Sequence, residues 1–132
     1  MSKGRLLLVD DEHDFIDVIA TRLEAKGYDI IKAFDGKKGL EKAHTEKPDL
    51  VILDVMMPEL NGYDVCRKLK VDSKFSNIPI ILLTAKFQPS DIDFGKEMGA
   101  DAYLTKPVEL DVLTERVEEL LKKKGIDIGG EK

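Results

Sequence analysis

The chain is predicted to be an α/β protein, a doubly wound five-stranded parallel sheet in the order 2-1-3-4-5 with five helices on its two faces. Three observations carry this expectation. Five short apolar runs alternate with five longer stretches whose apolar residues recur at helical spacing, the pattern of repeated strand–helix–strand units joined by right-handed crossovers. The inner runs Leu6-Leu7-Leu8-Val9, Leu50-Val51-Ile52-Leu53 and Ile80-Ile81-Leu82-Leu83 do not alternate, so helices should cover both of their faces. Glycine or proline marks most boundaries, at Gly27, Pro48, Pro58, Gly62, Pro79, Gly99 and Pro107.

Taken in order, the first strand is Arg5–Val9, followed at once by Asp10, Asp11 and Glu12. The first helix runs from about Asp14 to Lys26, with Phe15, Ile16, Ile19 and Leu23 on one face; Gly27 stops it where a left-handed residue is wanted. The second strand is Asp29–Ala33, and the second helix starts at Asp35-Gly36, carries Leu40 and Ala43 and stops before Pro48. The third strand, Val51–Asp54, ends on a carboxylate, after which Pro58 and Asn61-Gly62 force a loop. The third helix runs from Gly62 to about Asp72 with Val65 and Leu69 inward. Pro79 opens the fourth strand, Ile80–Leu83, which ends on Thr84. The fourth helix, around Pro89–Met98, has a thin apolar face of Ile92, Phe94 and Met98, and Gly99 stops it. The fifth strand, Asp101–Thr105, leads to Lys106-Pro107. The fifth helix, Glu109–Lys124, turns Leu110, Leu113, Val117, Leu120 and Leu121 inward, and Lys122-Lys123-Lys124 suits a helix C-terminus. Residues 1–124 are expected to form one domain and 125–132 a loose tail.

Composition bounds the function. A chain of 132 residues buries enough surface to fold without staples. With 42% apolar and 36% charged residues it reads as soluble and globular. Its net charge of −5 and pI near 5.1 argue against direct nucleic-acid or anionic-membrane binding, which want a basic face. One cysteine, Cys66, leaves no intrachain disulfide and no cysteine zinc site; it reads as a small semi-buried thiol. No apolar run is long enough to span a bilayer, and Met1 to Arg5 lead straight into a strand with no signal peptide visible, so cytoplasm is the expected compartment.

In the expected order the first, third, fourth and fifth strands are consecutive neighbours about 4.8 Å apart. Their carboxyl ends carry Asp10-Asp11, Asp54, Thr84 and Lys106, at the edge where open α/β sheets bind ligands. Like charges about 4 Å apart repel by roughly 4 kcal/mol at an effective dielectric of 20. Folding alone requires no such crowding, so three converging carboxylates imply a cation. Oxygen ligands at a shallow edge favour Mg²⁺. Carboxylate, metal, ammonium and hydroxyl are together the parts needed to receive a phosphoryl group. Each residue alone has a plainer role. Asp10, Asp11 and Glu12 suit a helix start, Thr84 a turn, Lys106 a solvated surface and Tyr103 partial core. His13 reads as an exposed first-turn residue and His44 lies on a polar helix face.

Four segments in order, each at an expected strand end, resemble the receiver domain of two-component response regulators, a CheY-like, flavodoxin-like fold. They are Val9-Asp10-Asp11, Leu53-Asp54-Val55-Met56-Met57-Pro58 with Asn61-Gly62, Leu83-Thr84-Ala85, and Gly99 through Pro107. The resemblance covers Lys3 to about Lys124. It implies that Asp54 is the phosphoacceptor and that Asp11, Asp54 and the Met56 backbone carbonyl bind Mg²⁺, with Asp10 acting through water. It further implies that Thr84 and Lys106 bind the phosphoryl group, that Lys106-Pro107 is a cis peptide, and that Tyr103 is an aromatic switch responding to Thr84. The expected donor is a sensor histidine kinase or histidine phosphotransfer protein. The signal would leave through the fourth helix, fifth strand and fifth helix to a downstream protein target. Such a domain is no enzyme, beyond assisting its own phosphorylation and dephosphorylation.

Other readings fit less well. A flavodoxin-like cofactor binder wants a phosphate-cradling loop after the first strand, where this chain has Asp10-Asp11-Glu12-His13-Asp14. An aspartyl-phosphate phosphatase wants a second acid where Met56 stands. A binding-only receiver should lack the acceptor or the lysine. A free-standing receiver and a receiver cut from a larger regulator or hybrid kinase both stay open. Two long side chains, Met56 and Lys86, are expected to flank the path of a hydrolytic water and prolong the phosphorylated state.

Overall fold

The structure, a computed structural model, describes residues 2–85 and 88–125. Five strands, β1 (Arg5–Val9), β2 (Asp29–Ala33), β3 (Leu50–Asp54), β4 (Ile80–Thr84) and β5 (Ala102–Thr105), form one sheet in the order β2-β1-β3-β4-β5. All four pairings are parallel. Five helices connect and follow them: α1 (His13–Ala25), α2 (Gly36–Glu46), α3 (Gly62–Lys70), α4 (Pro89–Glu97) and α5 (Leu110–Lys124). The expected fold and strand order are those observed, with element ends differing by one or two residues. Among the described residues, no helix is long and apolar enough to cross a membrane.

The period-two geometry of the strands splits the apolar runs between two cores. Leu6 and Leu8, Ile52, and Ile81 and Leu83 pack with Ile16, Ile19 and Leu23 of α1 and Leu113, Val117 and Leu121 of α5. Leu7 and Val9, Val51 and Leu53, and Ile80 and Leu82 pack on the other face with Ala43 of α2 and Val65, Cys66 and Leu69 of α3. This is why β1, β3 and β4 carry no polar alternation. Cys66 lies deeper than expected, fully buried with its thiol directed at the Met98 carbonyl 3.5 Å away. Burial pushes that thiol up to about 12.

The apolar face of α4 is thinner than its sequence implies. Phe94 is 44% exposed, Ile92 and Met98 are half-buried, and Gly95 is the buried residue of the helix. A clamp that periodicity does not reveal ties α3 to β5. Lys70 Nζ donates to the carbonyls of Ser76 and Ile78 at 3.1 and 2.9 Å and lies 2.9 Å from Asp101 Oδ2, which also accepts from the Ile80 N–H at 2.8 Å. Gly125 caps α5 in a left-handed conformation; the remainder of the expected tail, 126–132, lies outside the described residues.

Candidate functional site

Strand register assembles the site. Val9 pairs with Leu53, so Asp10 and Asp54, each one residue further on, lie side by side at the carboxyl edge. Thr84 pairs with Thr105, which brings the residue after Thr105, Lys106, to the same edge. The Lys106 N–H donates to the Thr84 carbonyl at 2.7 Å, and the Lys106–Pro107 bond is cis.

The β3–α3 loop is held tightly beneath. The Gly62 N–H reaches back to the Val55 carbonyl at 3.1 Å, and a Cβ on Gly62 would stand 2.3 Å from the Asp54 carbonyl oxygen. Asn61 caps α3, its side chain accepting from the Asp64 N–H at 3.0 Å.

Carboxylate oxygens of Asp10, Asp11 and Asp54 lie within 4.8 Å of one another. Asp10 and Asp54 are 4% and 5% exposed, while Asp11 faces solvent. Lys106 Nζ donates to Asp10 Oδ2 and Glu12 Oε1 at 2.8 Å each and stands 3.7 Å from Asp54 Oδ1. Its ammonium also sits 4.2 Å above the centre of the Phe15 ring, a contact that holds a cation over a π face. Thr84 is fully buried at the end of β4. The Met56 side chain is 56% exposed beside the site. Lys86, its expected counterpart, lies outside the described residues. Tyr103 stands apart from the carboxylates, packed against α4 with its hydroxyl 3.3 Å from that of Tyr63.

Electrostatics shows the cluster to be short of positive charge. Burial pushes the Asp54 carboxyl up to about 6; the neighbouring Asp10 charge adds to this, and Lys106 and the Met56 N–H oppose it. Burial also raises Asp10, although Lys106 and the Glu12 N–H both favour its ionised form. Burial pulls Lys106 down, but its bonds to Asp10 and Glu12 outweigh that and leave it raised. Among the described residues, one ammonium faces four carboxylates, counting Glu12. An all-oxygen cluster that stays undercharged beside a lysine fits a hard divalent cation such as Mg²⁺.

The sign of the Asp54 shift gives a stability test. Its carboxyl binds a proton more tightly folded than unfolded, where the value is 3.8. Stability from this group is therefore present at low pH, is lost as pH rises from about 4 to 6, and the full penalty stands above that. A rise from 3.8 to about 6 corresponds to a penalty on the order of 2–3 kcal/mol. In metal-free buffer Asp54→Asn is expected to raise stability to urea at pH 7.5 by up to that amount and to change little at pH 4. Added Mg²⁺ should close the gap by stabilising the unsubstituted protein. A variant less stable at pH 7.5 without metal would mark Asp54 as structural.

Two partners of Lys106, Glu12 and Phe15, are invisible to sequence reasoning, which reads them as a helix-start acid and a core residue. The available signal is positional: both flank the first loop at the edge that Lys106 must reach. His13, expected to be merely exposed, stacks on Phe34 with ring centres 3.9 Å apart.

This arrangement matches known proteins. Residues 6–118 fit the family described as the response regulator receiver domain. The chain is 43% identical over 122 residues to the alkaline phosphatase synthesis transcriptional regulatory protein PhoP of Bacillus subtilis, covering 92% of this chain and 50% of that protein. It is 40% identical over 118 residues to the protein PilH of Pseudomonas aeruginosa, covering 89% and 98%. It thus spans about half the length of PhoP and of several other curated relatives that it matches. Among solved structures, the signal receiver domain of a signal transduction histidine kinase from Syntrophus aciditrophicus superposes with a TM-score of 0.85 at 37% identity, covering 91% of each chain. The chemotaxis protein CheY4 of Vibrio cholerae gives 0.84 at 29% identity, over 89% of this chain and 98% of that one. With the family pattern matched across both cores and the whole carboxyl edge, the chain belongs to the response regulator receiver domains of two-component signalling.

Proposed function

We propose that this receiver takes a phosphoryl group onto Asp54 from a phosphohistidine, on a sensor histidine kinase or a histidine phosphotransfer protein. The observation that carries the reading is the meeting of Asp10, Asp11 and Asp54 within 4.8 Å, with Lys106 Nζ 3.7 Å from Asp54. An Asp54 oxygen attacks phosphorus, the P–N bond breaks, and its electron pair leaves with the imidazole. Lys106 exchanges part of its pairing with Asp10 and Glu12 for a phosphoryl oxygen, and Thr84 offers a hydroxyl to another. Mg²⁺, held by Asp11, Asp54 and the Met56 carbonyl with Asp10 acting through water, would supply the charge that neutralises the phosphoryl oxygens. The domain acts on no separate substrate, and its catalysis is confined to gaining and losing its own phosphoryl group.

Phosphorylation then shifts a two-state equilibrium expressed on the α4–β5–α5 face, which meets a downstream protein rather than nucleic acid or membrane. The cytoplasm is the compartment this reading requires. Incubation with acetyl phosphate and Mg²⁺, followed by mass measurement and peptide mapping, tests it: one phosphoryl group on Asp54 is the expected result, and uptake elsewhere or none at all refutes it.

The lifetime of the product should depend on Met56. Its apolar side chain, exposed two residues after Asp54, has no basic group to activate water. Removing it should speed acyl-phosphate hydrolysis by about three- to tenfold, roughly 0.7–1.4 kcal/mol of barrier. Decay followed after donor removal at saturating Mg²⁺ gives the measurement; equal rates for Met56→Ala and the unsubstituted protein would show that the side chain leaves the water's path open.

A further inference from the structure

Tyr63 joins elements that the expected switch does not connect. It is buried, 8% exposed, on the first turn of α3. Its hydroxyl lies 3.2 Å from the Asp91 carbonyl in the first turn of α4 and 3.3 Å from the Tyr103 hydroxyl on β5. A tyrosine hydroxyl has one proton and a carbonyl only accepts. Tyr63 therefore donates to Asp91 and accepts from Tyr103, which gives a directed chain from β5 through α3 to α4. The ring contributes as well: Phe94 meets it edge-on at 4.7 Å between ring centres.

These contacts matter because α4 is otherwise lightly anchored. Its buried residue, Gly95, lies under the Tyr103 ring, and a Cβ there would stand 2.7 Å from Tyr103 Cδ2. Tyr103 and Tyr63 thus grip α4 from two neighbouring elements. Both hydroxyl contacts are longer than the usual O–H···O bond, so each is weak and can be exchanged for another partner. At its other end, Tyr63 follows Gly62, which is seated against the backbone of Asp54 with no room for a Cβ. A shift at the carboxyl end of β3 bears directly on the turn that carries Tyr63.

We propose that Tyr63 is a positioning residue: its hydroxyl holds Tyr103 and the first turn of α4 in their resting arrangement. Its seat beside Gly62 couples both to Asp54 by a route separate from Thr84. The coupling half of this inference rests on Asp54 being the acceptor, while the positioning half does not.

Hydrogen exchange on the full chain tests both halves. In unphosphorylated protein, Tyr63→Phe keeps the buried ring and removes the hydroxyl. Amides of Asp91 to Gly95 should then exchange about three- to tenfold faster, the range a neutral hydrogen bond supports, with α3 amides and the melting temperature little changed. Tyr103→Phe leaves the Tyr63–Asp91 bond in place and should produce a smaller rise, and the double variant no more than Tyr63→Phe alone, because the Tyr63 hydroxyl carries both bonds. Should Tyr63→Phe lose its fold, Tyr103→Phe alone still decides whether the chain restrains α4. Unchanged α4 exchange, or additive effects, overturns the positioning role.

Coupling is read after acetyl phosphate labelling at matched occupancy. The α4 exchange change should survive in Thr84→Ala and vanish in Thr84→Ala/Tyr63→Phe. Its loss in Thr84→Ala alone overturns the second route. If the unsubstituted protein takes no label at all, the acceptor reading fails and takes the coupling with it. The comparison of unlabelled variants is unaffected by that outcome and still decides the positioning role.

Discussion

Asp54→Asn is expected to abolish phosphoryl uptake, and Lys106→Ala to slow it by about two to three orders of magnitude, the usual effect of removing one preorganised charge from a developing anion. The two losses differ in kind. Asparagine preserves the shape of Asp54 but has no anionic oxygen to attack phosphorus. Lys106→Ala leaves the nucleophile intact and removes the ammonium that stands 3.7 Å from it. It also strips Asp10 of its 2.8 Å partner, so the carboxylates repel one another more strongly and the remaining rate should depend more steeply on Mg²⁺. Initial rates with acetyl phosphate at several Mg²⁺ concentrations, read by mass, separate these effects. Full labelling of Asp54→Asn would place the acceptor elsewhere, and an unimpaired Lys106→Ala would reduce Lys106 to a structural ion pair.

Gly62→Ala should lower the melting temperature by roughly 10 °C, corresponding to about 2–4 kcal/mol in a domain of this size. Intrinsic propensity gives the opposite sign, since alanine is favoured over glycine in a helix by about 1 kcal/mol. Packing decides. The new Cβ would meet the Asp54 carbonyl oxygen at 2.3 Å and Val55 Cα at 2.9 Å, both backbone atoms that no rotamer change can clear. Relief requires α3 or the end of β3 to move, and overpacking of this kind costs about 1–3 kcal/mol or more. Because the displaced atoms belong to the acceptor residue, labelling should slow as well, misplacement near a reacting group being expensive in rate. A variant as stable as the original would mean that the loop yields freely.

The sequence makes strands and their ends readable for a physical reason. Apolar runs on β1, β3 and β4 have to fill two cores, and each run stops where the chain meets the loop edge, so Asp10, Asp54 and Thr84 are located by burial alone. Pairings between distant side chains are not located in this way. Glu12 with Lys106, Phe15 under the same ammonium, and Lys70 with Asp101 all depend on register and on which rotamer a long side chain adopts. The Tyr63–Tyr103 contact depends on a helix crossing that periodicity does not specify. Phe94 shows the converse error: it falls on the helical repeat of α4 and meets Tyr63 edge-on yet stays 44% exposed, because a short helix over a glycine seat has little core to fill.

The division of the interior into two cores by an unbroken apolar sheet also governs how such a domain can change over generations. Among the described residues, the buried cluster of the α1–α5 layer and that of the α2–α3 layer have no member in common, and strand residues contribute to each. Substitutions on opposite layers should therefore combine with nearly independent energies. A lineage can rewrite one layer, together with whatever recognition surface that layer displays, while the other is inherited unaltered. The sheet acts as a partition between two separately heritable halves.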